Sequence, residues 1–156
     1  MITIKEGSLF DATEGVICHQ VNCKGNMGRG IAKQFQTLFP AAFDEYVRTC
    51  HSVAPSSFLL GKIVVCRETI NPILYTCSMF AQDDWRGHNV CNTNYPAFRE
   101  CCGRIKQFQI DNSYSLVIHM PYLIGCGLGG GDWPIVYSII EEELCDYNVI
   151  LWKLKN

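Results

Sequence analysis

Two short stretches hold most of the residues able to do chemistry. The first, VICHQVNCKGNMGRGIAKQF (16–35), places His19, Asn22, Lys24 and Arg29 among three glycines, Gly25, Gly28 and Gly30. The second, PYLIGCGLGGGDW (121–133), runs Gly125, Cys126, Gly127, Leu128 and Gly129 into Asp132. Glycine permits positive φ and lets backbone N–H groups approach a ligand with no Cβ in the way. Each stretch leaves an apolar run and enters a helical pattern, and a helix N-terminus adds unsatisfied N–H donors and a favourable dipole. Strand, glycine loop and helix together make a phosphate cradle. Two of them in one small domain fit a diphosphate held from both sides.

His19 is the titratable group best placed for chemistry. An imidazole there could act as general acid or base, or could hydrogen-bond a phosphate or ribose. The plainer alternative is a core histidine donating to a backbone carbonyl. Asp132 reads as the N-cap of the last helix, with a catalytic role as the alternative. Among Gln82, Asp83 and Asp84, a carboxylate such as Asp83 could position a water, or the three could form a solvated turn. Lys24 and Arg29 either draw an anion in or are solvated surface. His119, inside an apolar strand, reads as buried and satisfied. The stretch WRGHNVCNTNY (85–95) reads as a loop over the site, with Trp85 or Tyr95 either stacking on ligand or packing elsewhere.

The surrounding pattern alternates strands with helices. MITIK and GVICHQVN read as strands, and GIAKQFQTLFP as a helix with Ile31, Phe35 and Leu38 on one face. Pro40 ends or restarts that helix, and AAFDEYVRTC continues as a second piece. GKIVVCRE and PILYTCSMF are strands. NTNYPAFRECCGRIKQFQ is helical, with Phe98, Cys102 and Ile105 on one face. YSLVIHMPYLIG is a buried strand, WPIVYSIIEEEL a helix with Pro134 in its first turn, and NVILWKL a closing strand. The order implies a single three-layer α/β/α domain over residues 1–156, with a mixed, mostly parallel sheet and the ligand site at the strands' carboxyl ends.

Composition narrows the function classes. The 156 residues are 48% hydrophobic and 18% charged, which suits a domain with a full core. Net charge is −2 and no Lys/Arg run exceeds two residues, so a strong nucleic-acid patch is not expected. MITIKEGSLF reads as strand and turn, not as a signal sequence, and no apolar run approaches a membrane span. A cytoplasmic protein, or a nuclear one in a eukaryote, is the expectation. The ten cysteines form no C-x-x-C pair, so most read as small buried hydrophobes in a reducing compartment, and no metal or other cofactor is expected.

GCGLGG matches a dinucleotide fingerprint literally. That motif expects an acid at the end of the next strand, and NVILWKL has none. A Walker A loop does not occur.

Taken together, GSLF after the first strand, CHQVNCKGNMGRGIAKQF…FP, LLGKIVV, PYLIGCGLGGGDW and the closing strand resemble a macrodomain, the ADP-ribose-binding α/β module. The likeness is to the branch that includes the human terminal ADP-ribose protein glycohydrolase and the yeast ADP-ribose 1″-phosphate phosphatase. The resemblance implies that the ligand is ADP-ribose or an ADP-ribosylated protein or nucleic acid. It places Asn22 on the distal ribose, and Met27, Gly28, Arg29, Gly30 and Ile31 along the diphosphate. Gly125 to Gly129 would close over the phosphates, with Ser8 and Leu9 near the adenine. His19 lies in a context like that of the phosphatase. The implied activity is hydrolysis of an ADP-ribose derivative at the distal ribose, with a non-catalytic reader as the alternative.

Three positions depart from the family. Ser8 stands where many members have an aspartate for the adenine amino group. Gly129 stands where the glycohydrolase has its aspartate, and CSMFAQDD (77–84) lacks that enzyme's lysine.

Overall fold

The computed structural model describes residues 1–86 and 90–155. Six strands form one sheet: β1 (Ile2–Glu6), β2 (Gly15–Val21), β3 (Ile63–Arg67), β4 (Leu74–Phe80), β5 (Ile118–Pro121) and β6 (Val149–Lys153). Their order is β1-β6-β5-β2-β4-β3, parallel throughout except that β3 runs antiparallel to β4. The helices are α1 (Gly30–Leu38), α2 (Pro40–Ser52), α3 (Tyr95–Asp111) and α4 (Trp133–Glu143).

Alternation along β2 explains the two-sided core. Ile17 and Val21 face α1 and α2, where Phe35, Tyr46 and Phe80 complete one apolar cluster. Val16 and Cys18 face α3 and α4, against Phe98, Ile105, Val136 and Ile140. Successive side chains of a strand point to opposite faces, so a strand covered on both sides reads as a continuous apolar run. VIC and LYTCSMF are such runs, and every residue of β4 is buried.

The mixed sheet and the three layers match the pattern expected from the sequence, with differences at element ends. Leu38 does not share the buried face of α1; it is 52% exposed, because the helix stops there and Phe39 turns the chain into Pro40. The stretch YSLVIHMPYLIG supplies only a four-residue strand, β5, before the chain turns. The third helix begins at Tyr95, not Asn92, because Asn94 caps it by accepting from the Ala97 N–H at 2.9 Å. Six of the ten cysteines are buried and all ten are free, as the small-hydrophobe reading requires.

Candidate functional site

β2 and β5 are neighbours in the sheet, but their connections leave in opposite directions. From β2 the chain passes to α1, α2, β3 and β4 on one side; from β5 it passes through α4 to β6 on the other. Such a point leaves a crevice at the strands' carboxyl ends. Both glycine loops open onto it. The Leu128 Cδ1 atom lies 3.9 Å from where a Cβ on Gly30 would stand, so the two loops meet.

The first loop is tied down from inside. Asn22 Oδ1 accepts from the N–H of Lys24 (2.9 Å) and from the hydroxyl of Tyr46 (2.9 Å), and Asn22 Nδ2 donates to Asn26 O at 2.7 Å. Met27 is buried and pins the loop to the core beneath it. The Gly28 N–H is taken by Asn26 Oδ1 at 2.8 Å. Beyond that point the donors are unused: the N–H groups of Gly30, Ile31 and Ala32 in the first turn of α1 have no acceptor among the described residues. Gly30 has φ +57°, a conformation that favours glycine.

The second loop is similar. Gly125 and Gly130 have φ +75° and +70°, and the Gly131 N–H closes the loop on Gly125 O at 2.9 Å. The N–H groups of Gly127, Leu128 and Gly129 have no acceptor among the described residues. Six backbone donors without acceptors among the described residues therefore lie on two loops that meet at the carboxyl end of the sheet, an arrangement suited to anionic oxygens. A groove of 710 Å³ between α3 and α4 is lined by Tyr95, Pro96, Arg99, Pro134, Ser138 and Ile139; it has no glycine loop, and its guanidinium, Arg99, is paired with Glu142 and Glu143.

The model of the Macro domain family matches residues 18–140, which contain both loops. The chain belongs to the macrodomain family. It is 28% identical over 92% of its length to the DNA ADP-ribosyl glycohydrolase of Thermus aquaticus, of which it spans 38%. It is 26% identical to the ADP-ribose 1″-phosphate phosphatase of Saccharomyces cerevisiae, covering 89% of each chain. The macrodomain of Thermus aquaticus DarG superposes with a TM-score of 0.78 at 25% identity, over 100% of this chain and 99% of that one.

Within this macrodomain the polar residues divide by surroundings. His19 is 1% exposed and stacked on Phe35, ring centroids 3.7 Å apart. Its Nε2 lies 3.3 Å from Ser78 Oγ, while Nδ1 has no partner among the described residues. Burial pushes its pKa down to about 3, so the ring is neutral at physiological pH. The expectation of a general acid or base at His19 does not fit a ring enclosed between sheet and helix.

Asp83 is half-exposed, with its Oδ1 buried. Its carbonyl accepts from the Cys23 N–H at 3.0 Å, and its carboxylate Oδ1 lies 3.1 Å from Lys24 Nζ, close enough to pair but not aligned as a hydrogen bond. The lysine and the aspartate thus root the first loop to the end of β4. Asp84 pairs instead with Arg86, whose guanidinium hydrogen-bonds it and holds its carboxyl below the usual carboxylate range.

Asp132 occupies the N-cap of α4, but its carboxylate makes no capping hydrogen bond and is exposed. Its N–H donates to the Tyr95 hydroxyl at 2.9 Å, so Tyr95 holds the start of α4. Trp85 is 40% exposed, and the rest of the expected overlying loop, residues 87–89, lies outside the described residues. Arg29 is exposed at the N-cap of α1, and Leu128 is exposed at the tip of the second loop. The Cys126 thiol, pushed up to about 11 by burial, donates to Ile124 O.

Ser8 Oγ accepts from the Phe10 N–H, and the Ser8 N–H donates to Asp11 Oδ2, forming a capping box on a single 3₁₀ turn. Leu9 is buried, which leaves only its backbone for a ligand. His119 is satisfied, as expected. Trp152 Nε1 can only donate, so His119 Nδ1 accepts (3.0 Å) and its Nε2–H donates to Glu14 O at 2.8 Å.

Three contributors were not singled out from the sequence: Tyr46, Gln20 and Thr93. Gln20 was findable by strand alternation, since it faces the second loop whereas His19 faces away. Tyr46 sits 24 positions from Asn22 and has no local signal. Thr93 falls both in the stretch read as a loop over the site and at the start of the helical pattern, with no signal of its own.

Proposed function

We propose that this macrodomain binds ADP-ribose across the two glycine loops and hydrolyses an ADP-ribose derivative at the distal ribose. The observation that carries the reading is the set of six unused N–H donors, from Gly30, Ile31, Ala32, Gly127, Leu128 and Gly129, at one crevice. These donors would line the diphosphate. The distal ribose would then lie toward Asn22, Lys24 and Asp83, and the adenine toward the backbone of Ser8 and Leu9. The domain would act as a single unit over residues 1–156.

The names of the relatives support hydrolysis: one acts on ADP-ribosylated DNA, the other on ADP-ribose 1″-phosphate. Asp83 is the carboxylate we assign to orienting the attacking water. It sits at the root of the first loop and is partly exposed. Asp132 is the second carboxylate within reach of the loops. A reader without catalysis is the competing reading, favoured by the burial of His19 and by Gly129 in place of the family aspartate.

Calorimetric titration with ADP-ribose, against AMP and NAD, tests binding. Micromolar or tighter binding selective for ADP-ribose is expected, and absence of binding would remove the reading. Turnover of ADP-ribosylated oligonucleotide, ADP-ribosylated protein and ADP-ribose 1″-phosphate then separates enzyme from reader. Asp83→Asn should lower turnover about a hundredfold or more, in line with loss of a general base. Binding without turnover on all three substrates would leave the reader.

A further inference from the structure

The two loops are not independent. They are joined through three uncharged side chains that no motif reveals. Gln20 Nε2 donates to Gln82 Oε1 at 2.7 Å and to Thr93 Oγ1 at 2.8 Å, which uses both of its hydrogens. Thr93 Oγ1 passes its own proton to Gly125 O at 2.6 Å, and its backbone N–H donates to Gly129 O at 3.0 Å. Gln82 Nε2 donates to Asp84 O at 2.9 Å. At the other end, the Gln82 carbonyl accepts from the Cys23 thiol (3.5 Å) and the Asp83 carbonyl from the Cys23 N–H. A continuous path therefore runs from the first loop through Cys23, Gln82, Gln20 and Thr93 to the second.

Each link has one consistent direction. Turning the Gln20 amide over would set its oxygen against Gln82 Oε1, two acceptors face to face. The observed orientation leaves Gln20 Oε1 buried with no partner among the described residues, 2.8 Å from where a Cβ on Gly125 would stand. An unpartnered buried oxygen is unfavourable, and it persists here because both amide hydrogens are engaged. Position 125 accordingly has no room for a side chain.

We propose that Gln20, Gln82 and Thr93 are positioning residues that set the second glycine loop against the first, and thereby fix the spacing of the six backbone donors. The inference rests on the reading of the crevice as an ADP-ribose site. None of the three side chains is ionisable, so their effect does not depend on pH.

The test is calorimetric titration of the full chain with ADP-ribose for wild type, Thr93→Val, Thr93→Ser, Gln20→Leu and the double variant Gln20→Leu/Thr93→Val. Thr93→Val keeps the shape and removes the hydroxyl; it should weaken ADP-ribose by about tenfold or more. Thr93→Ser should recover binding to within about threefold of wild type, since it restores the hydroxyl. The double variant should lose no more than the worse single one, as links in series do. The losses should be equal at about pH 5.5 and about pH 8.5, where an acid–base role would differ. Unchanged affinity in Thr93→Val and Gln20→Leu, or additive losses, overturns the proposal. Failure of the wild type itself to bind ADP-ribose removes the parent reading instead. Hydrogen exchange then decides the network: faster exchange in Thr93→Val at Cys23 as well as at 125–131 supports it, and a change confined to 125–131 overturns it.

Discussion

His19 and Asn22 lie three positions apart on the same chain segment, yet they do different work. His19 is a neutral ring pressed on Phe35, and Asn22 organises the loop that follows. A buried neutral histidine leaves a signature in stability. Its folded pKa of about 3 lies below the unfolded 6.5, so its contribution is complete above pH 6.5 and is lost as pH falls toward 3. Over that window wild type should lose up to about 1.4 kcal/mol per pH unit more than His19→Phe, read from urea midpoints across pH. Equal slopes would show the ring is not held neutral. Tyr46 offers a second check. Its one hydroxyl proton is shared between Asn22 O at 2.7 Å and Asn22 Oδ1 at 2.9 Å. Tyr46→Phe should therefore cost about 1–3 kcal/mol by denaturant unfolding, with weaker ADP-ribose binding as the first loop loosens.

At the scale of the loop, the glycines are not equivalent. A Cβ on Gly129 would lie 2.7 Å from Thr93 Oγ1 and 2.8 Å from Gly125 O, whereas one on Gly127 would meet nothing within 4 Å. Gly129→Ala should destabilise the fold by about 1–3 kcal/mol through overpacking against backbone. Gly127→Ala should stay within about 0.5 kcal/mol, as exposed substitutions do. Thermal unfolding of the pair decides it, and equal effects would mean the second loop yields freely. These distinctions were invisible in the run GCGLGGGDW, which displays its glycines but not which of them are crowded. Strands and helices, by contrast, were legible, because VIC, LYTCSMF and the face of Phe98, Cys102 and Ile105 carry the periodicity of their element. Of the two readings of His19, burial favours the core histidine, and the same alternation along β2 puts the Gln20 amide, not the imidazole, toward the second loop. Tyr46 and Thr93 act across the fold, through contacts that spacing along the chain does not encode.

Across the whole molecule, the crevice follows from the strand order. β2 and β5 lie side by side and send their chains apart, so two loops distant in sequence converge. A ligand bridging them should stabilise the native state as a unit. At an ADP-ribose concentration about a hundredfold above its Kd, linkage supplies about 2.7 kcal/mol. For a chain of this size that corresponds to a rise in Tm of about 5–10 °C. AMP, lacking the distal half, should give a distinctly smaller rise in the same thermal scan. An equal rise would place recognition in the nucleotide alone.

The distribution of sulfur has a practical consequence. Cys91 and Cys145 are the two exposed thiols, and the other eight are buried or half-buried. Burial raises the thiol of Cys23 to about 12 and that of Cys126 to about 11, and so keeps them unreactive toward alkylating dyes near neutral pH. Cys91 lies two residues before Thr93, with its thiol against the Thr93 carbonyl and the Tyr95 hydroxyl. With Cys145 replaced by serine, a single fluorophore could be installed at the rim of the second loop. The chain thus carries its own attachment point for an optical probe, one that could follow ligand entry in real time without any cysteine being added.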